Sequence, residues 1–244
     1  MSYRIFPISL GTNSKIEKST FLYRKDCGTR ITASYPVFLV RSAERTILVD
    51  SGAPNPSLAE KLSYPKLENA SYLSEELKKR GCACEDIDAV ILTHLHWDHC
   101  FNLELFPEAD VYVQKTELMH AVCPSPYDKY MYVATREASL PGWMTAFQRM
   151  KVIDGDAELF PGIRCLLTPG HTPGQMSVLI DTEKGQYVIA SDLLPLYENI
   201  ECGIPNGICI SFADFYESLE KLRRTGAEII PGHDIKLAEI REFG

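Results

Sequence analysis

The sequence predicts a mixed α/β fold, and three observations carry that prediction. Short apolar runs bounded by turn residues recur along the chain, as strands do. Two stretches, residues 71–80 and 212–225, instead space their apolar residues for one face of a helix. The 244 residues, 45% of them hydrophobic, suffice for a substantial core.

Taken in order, residues 2–10 alternate loosely and predict a first strand, and the polar stretch 11–18 reads as a turn. Residues 35–41 and 45–50 read as two strands joined by the tight turn Ser42-Ala43-Glu44, hence a hairpin. The second strand ends in Asp50-Ser51-Gly52, and Pro54 and Pro56 punctuate the loop after it. In the helix at 71–80, Ser71 and Ser74 are candidate caps, Leu73 and Leu77 share a face, and Gly81 closes the last turn. A strand at 88–93, another at 109–113 and a helix at 115–121 follow. Residues 123–146 hold Pro124, Pro126, Tyr127, Tyr130, Tyr132, Pro141 and Trp143 with weak periodicity. They read either as a lid or binding wall, or as a helix packed by its aromatics. Beyond Lys151 the pattern is strand: 151–153, 157–160, 163–168, 175–181 and 187–190, with turns at Asp154-Gly155 and Lys184-Gly185. The helix at 212–225 puts Phe215, Leu219 and Leu222 on one side, Gly226 ends it, and 228–230 is a last strand. No repeat, low-complexity tract or linker interrupts the chain, so a single domain over 1–244 is expected.

The net charge of -8 comes with no basic stripe, which argues against a nucleic-acid partner. No run of about 18 apolar residues predicts a membrane span. The first ten residues lack the basic flank and apolar core of a signal peptide. The eight cysteines form no CxxC pair and read as reduced thiols in a cytoplasmic protein.

The chemistry concentrates in Thr93-His94-Leu95-His96-Trp97-Asp98-His99, where four candidate metal ligands directly follow an apolar run. Imidazole is the commonest protein ligand for zinc, and carboxylates complete such sites. Three further groups sit at strand ends. His171 lies in Thr168-Pro-Gly-His171-Thr-Pro-Gly174, Asp192 follows the 187–190 strand, and His233 lies in Ile230-Pro-Gly-His233-Asp234. Loops at strand ends converge on one edge of a sheet, as an active site needs. Seven ligands (His94, His96, Asp98, His99, His171, Asp192 and His233) exceed one tetrahedral zinc. They suit two divalent cations sharing a bridging carboxylate. Zinc fits best, and iron or manganese would also accept these donors.

The H-x-H-x-D-H motif with its later His, Asp and His resembles the metallo-β-lactamase superfamily, from the Leu48-Val-Asp-Ser-Gly52 stretch to His233. The resemblance implies a four-layer αββα sandwich, two mixed sheets flanked by helices. It implies one metal on His94, His96 and His171, the other on Asp98, His99 and His233, with Asp192 between them and Asp50 outside the ligand set. Length and layout are most similar to the N-acyl homoserine lactone lactonases. Those enzymes carry a Tyr three residues after the bridging Asp. Here that position is Pro195, and Tyr197 is the nearest substitute. The usual Gly before the bridging Asp is Ser191.

The implied activity is a lactonase- or esterase-like metallo-hydrolase, in which a hydroxide bridging two metals attacks the carbonyl of a small-molecule lactone or ester. Asp98 or Asp192 would return the proton to the leaving group, with Tyr197 polarising the carbonyl. Thioester or phosphodiester hydrolysis and a non-catalytic metal sensor are the alternatives. A secreted β-lactamase typically uses Cys where Asp192 stands, and a glyoxalase-type thioesterase needs a helical region beyond the 11 residues that follow His233. Cys100 reads as a buried structural thiol and His120 as a residue on a helix surface. A monomer or homodimer is expected.

Overall fold

Alternation along the strands builds two sheets. In the computed structural model, which describes residues 2–61, 67–132 and 140–244, β1 (Arg4–Glu17), β2 (Arg30–Arg41) and β3 (Thr46–Val49) form an antiparallel meander. After α1 (Pro56–Lys61) and α2 (Leu73–Lys79), the sheet continues in parallel through β4 (Ala89–Ile91) and β5 (Asp110–Gln114). The helices α3 (Lys115–Val122) and α4 (Lys129–Tyr132) precede its last parallel strand, β6 (Met150–Ile153). The second sheet pairs β7 (Ala157–Phe160), β8 (Ile163–Leu167), β9 (Met176–Thr182) and β10 (Gly185–Ser191) antiparallel. After α5 (Tyr197–Cys202) and α6 (Phe212–Thr225), β11 (Glu228–Pro231) adds in parallel to β10.

The period of two decides what each strand buries. Ile47 and Val49 of β3 and Ala89 and Ile91 of β4 face the second sheet, meeting Ile163, Val178, Ile180 and Ile189. Leu48 and Val90 point the other way, onto Leu73 and Leu77 of α2. On the far side, Leu179 and Val188 pack against Phe215, Leu219 and Leu222 of α6. The layers therefore run helix, sheet, sheet, helix, as the family resemblance implies.

Several local expectations need correction. Residues 11–18 do not turn: β1 runs on to Glu17, with Thr12 opposite Ser34 and Ile16 opposite Ile31 beyond two register shifts. Their polarity reflects a half-exposed strand extension. Neither Ser71 nor Ser74 caps α2, because the N-cap is Tyr72 and no side chain bonds there. Buried Leu73 and Leu77 hold that helix, with Glu75 and Glu76 favouring its N-terminal dipole. Short helices α1 and α5 occupy stretches that carried no helical signal. Among the described residues of 123–146, α4 is the one α-helix, a single turn. Tyr127 and Tyr130 are exposed, whereas Tyr132 and Trp143 are buried, the latter in a 3-10 stretch at Gly142–Arg149. The part of that segment at 133–139 lies outside the described residues. Among the described residues, no helix is long and apolar enough to cross a membrane.

Candidate metal centre

Five strands end at one edge and deliver the polar groups there. Asp50 follows β3, the His94–His99 stretch follows β4, His171 follows β8, Asp192 follows β10 and His233 follows β11. Backbone strain marks two of these ends. Asp50 (φ 61°) and Ser191 (φ 49°) both take the left-handed conformation that side chains disfavour. This explains why a Gly suits the position of Ser191. Here its Oγ lies 2.9 Å from Thr93 Oγ1, tying two strand ends together. Gly232 is required by close approach, since a Cβ there would come within 2.7 Å of the Ser191 carbonyl.

All seven expected ligands are buried and gathered into overlapping groups: His94 with His96 and His171, His94 with His99 and Asp192, and Asp98 with His99 and His233. Within each group the candidate donor atoms lie within 4.8 Å of one another. Asp192 stands between the groups. Its Oδ2 is 3.5 Å from His171 Nε2, while its Oδ1 is 2.9 Å from His233 Nε2 and 3.3 Å from His99 Nε2. Asp98 reaches the Nε2 of both His99 and His233 at 3.7 Å.

The outer nitrogens of three rings are anchored. His99 Nδ1 donates to Asp50 at 2.8 Å, His171 Nδ1 to the Ile208 carbonyl at 2.6 Å, and His233 Nδ1 to the Ser34 carbonyl at 2.8 Å. Each bond fixes the tautomer that leaves Nε2 free to face the centre. Asp50 is itself held by the Thr93 backbone N–H at 2.7 Å and by the Thr93 hydroxyl. Meanwhile His94 Nε2, His99 Nε2 and Asp98 Oδ1 are buried with no hydrogen-bond partner, and His96 turns its Nδ1 to the centre, 3.0 Å from His171 Nε2. Buried polar atoms are rarely left unpaired. A convergent set of orphaned imidazole nitrogens and a carboxylate oxygen is the donor chemistry of a divalent metal site.

Electrostatics divide the centre. Burial, reinforced by neighbouring imidazoles, holds His94 and His96 well below the usual histidine range, and burial lowers His171. Burial also pulls on His99, but Asp98, Asp50 and Asp192 outweigh it and hold that ring well above the range. For His233, Asp192 and Asp98 likewise outweigh burial. Burial pushes Asp192 up, yet His233 and His99 outweigh that and keep it ionised.

The other expected residues divide. Tyr197, at the start of α5, stands against Asp234 and Glu228, and Lys236 Nζ lies 5.5 Å from its ring. Burial followed by those two charges pushes its phenol up to about 12. Tyr35, which nothing in its strand pattern singled out, lies closer to the chemistry. Its ring is edge-on to His233 at 4.9 Å and 6.0 Å from Trp97. Burial first, then the charges of Asp98 and Asp192, hold its phenol protonated. Cys100 is buried, donates to the Leu95 carbonyl at 3.4 Å, and is pushed well above the usual thiol range by burial. His120 is not simply on a surface: its Nε2 is 2.7 Å from Asp128. Glu117 also escaped sequence reasoning, because a Glu in the first turn of a helix ordinarily complements the dipole. Its carboxylate instead turns inward beneath the His94–His96 loop. A cavity of about 230 Å³ opens beside Trp97, walled by Ala53, Pro54, Pro56, Ala59 and Leu67. The apolar wall of this cavity thus comes from Ala53, Pro54, Pro56, Ala59, Leu67 and Ala70, and not from the exposed Tyr127 and Tyr130.

Residues 34–233 match the family model described as the metallo-beta-lactamase superfamily. An N-acyl homoserine lactonase from a Bacillus species is 32% identical over 219 residues, covering 82% of this chain and 80% of that relative. A crystal structure of a quorum-quenching N-acyl homoserine lactone lactonase superposes with a TM-score of 0.78 at 27% identity, covering 97% of this chain and 94% of the other. A second, an N-acyl homoserine lactone hydrolase with the product N-hexanoyl-L-homoserine at its catalytic metal centre, gives 0.79 at 25% identity, covering 98% and 96%.

Proposed function

The chain belongs to the metallo-beta-lactamase superfamily and is a hydrolase, and from that premise we propose that it opens the lactone ring of an N-acyl homoserine lactone. One observation carries the reading: Asp192 offers one oxygen to His171 and the other to His99 and His233. A carboxylate between two imidazole clusters suits a pair of cations. His94, His96 and His171 would hold one, Asp98, His99 and His233 the other, and Asp192 would serve both. Zinc is the first expectation, with iron or manganese compatible. Such a pair supplies an acidified water and a Lewis acid for the carbonyl oxygen.

The chain's own groups do the rest. Asp192 Oδ1 lies 2.9 Å from His233 Nε2, whereas Asp98 stands 3.7 Å from both His99 and His233, so Asp98 is the freer carboxylate and moves the proton to the leaving alkoxide. Tyr35 takes the role first expected of Tyr197. A phenol kept protonated by burial and by two carboxylates acts as a hydrogen-bond donor, suited to the substrate's carbonyl oxygen. Phe21 stacks on His233 at 5.2 Å and, with Trp97 and Tyr35, limits water at that wall. The cavity beside Trp97 takes the acyl chain, its lining being mostly apolar. Free thiols at Cys27, Cys123 and Cys202, all exposed, fit a reducing cytoplasm. We read residues 1–244 as one domain.

The test uses purified protein loaded with zinc and a panel of N-acyl homoserine lactones, thioesters and phosphodiesters, followed by the proton released on ring opening. Lactone turnover well above the other classes supports the reading. Two tightly held zincs with no lactone turnover would overturn it.

A further inference from the structure

Glu117 is fully buried, and its carboxylate accepts four hydrogen bonds. Oε1 receives the Leu95 backbone N–H and the Tyr132 hydroxyl, both at 2.9 Å. Oε2 receives the Thr172 hydroxyl at 2.7 Å and the Gly174 backbone N–H at 3.2 Å. Two of these donors are main-chain amides that can only donate, so the geometry demands an acceptor on both oxygens. Leu95 is the residue between His94 and His96. Thr172 and Gly174 belong to the turn that carries His171. Gly174 lets that turn approach, since a Cβ there would run into the Glu117 backbone. Tyr132 sets its ring edge on His96 at 4.6 Å, and the Met131 carbonyl accepts the Trp97 backbone N–H at 2.9 Å.

We propose that Glu117 is a positioning residue: one buried carboxylate clasps the His94–His96 loop to the His171 turn and fastens residues 131–132 to both. The inference rests on the metal assignment above, though not on the lactone. Each segment alone has several ways to satisfy one amide. Their meeting on a shared acceptor draws the three imidazoles together before any cation arrives. Charge-assisted bonds of this kind are short and strong, and the low dielectric around them raises both their worth and the penalty for losing one.

Glu117→Gln tests this. The amide keeps the shape but replaces one acceptor oxygen with an NH2 that faces a donor. Zinc affinity is measured by chelator competition, and cobalt(II) absorption reports the nitrogen-rich site. Cooperative thermal unfolding of the metal-free variant checks that it folds. The expected result is a loss of about 10–100-fold at one of the two sites, with an altered cobalt band, and wild-type affinity at the other. Thr172→Val removes one donor, keeps the charge, and should weaken the same site less. It serves alone if Glu117→Gln does not fold. Wild-type affinities and cobalt band in folded Glu117→Gln, or in Thr172→Val where that must stand alone, would overturn the inference. Wild-type protein that binds two zincs and ignores every lactone would sink the substrate reading and leave the role of Glu117 standing.

Discussion

His94, His96 and His171 meet one another as neutral rings, with Asp192 Oδ2 3.5 Å from His171. His99 and His233 instead lie among Asp50, Asp98 and Asp192. The difference teaches how one fold prepares two unlike sites. The first cluster is made ready by burial, which keeps the second proton off each ring. The second is made ready by negative charge, which keeps the second proton on each ring until something more positive displaces it. The first asks a cation for little rearrangement, and the second exchanges protons for it.

Removing the link between the clusters should have the largest effect. Asp192→Ala is expected to lower kcat/KM for a lactone by about 10³-fold or more, the scale of losing a principal electrostatic group. It should also weaken zinc binding at both sites. Unchanged turnover with two metals retained would show that Asp192 does not link the clusters. Next comes the phenol beside the second cluster. Tyr35→Phe should lower kcat by about 10²-fold with metal content intact. Tyr197→Phe, against Asp234 and Lys236, should leave kcat near wild type. The reverse order would restore Tyr197 to the reaction.

Asp50→Asn sharpens the contrast further. Asp50 orients His99 and is held by Thr93, so the variant should lose about 10–100-fold in zinc affinity at the second site only. Loss at both sites would mean that the clusters are not separately supported.

The smallest effect is on the pH dependence of the metal-free protein. Folding lowers the pKa of His94, His96 and His171, so their neutral burial favours the fold above about pH 6.5 and that advantage fades as pH falls below it. Folding raises the pKa of His99 and His233. Their ion pairs stabilise fully below about pH 6.5 and are lost as pH rises through the folded values. The melting temperature of metal-free protein should therefore decline on both sides of an intermediate maximum. Asp50→Asn should trim the alkaline limb less steeply held by His233 alone, leaving the acid limb in place. A monotonic profile would contradict the division.

Much of this was legible in the sequence because the ligands cluster in short motifs at strand ends, and strand ends are readable. His94, His96, Asp98 and His99 sit in one heptapeptide, and Pro-Gly announces both His171 and His233. What escaped depends on contacts between residues far apart in the chain. Glu117 meets Thr172 and Gly174 across more than fifty positions, and Tyr35 meets His233 across nearly two hundred. No local period encodes such a meeting. Tyr197 was favoured because it lies near Asp192 in sequence, yet the helix that starts at Tyr197 turns its ring toward Asp234 and Lys236. The polar stretch 11–18 was misread for a related reason: a strand paired on one side and half-exposed on its faces has the composition of a turn.

The central claim is that loops from five strand ends gather donors for two cations around Asp192. Elemental analysis of metal-stripped protein reloaded with zinc, followed by removal of loosely held ions, tests it most directly. Two zincs per chain are expected, falling in Asp192→Ala. No more than a trace of zinc, iron or manganese after each reloading would contradict it.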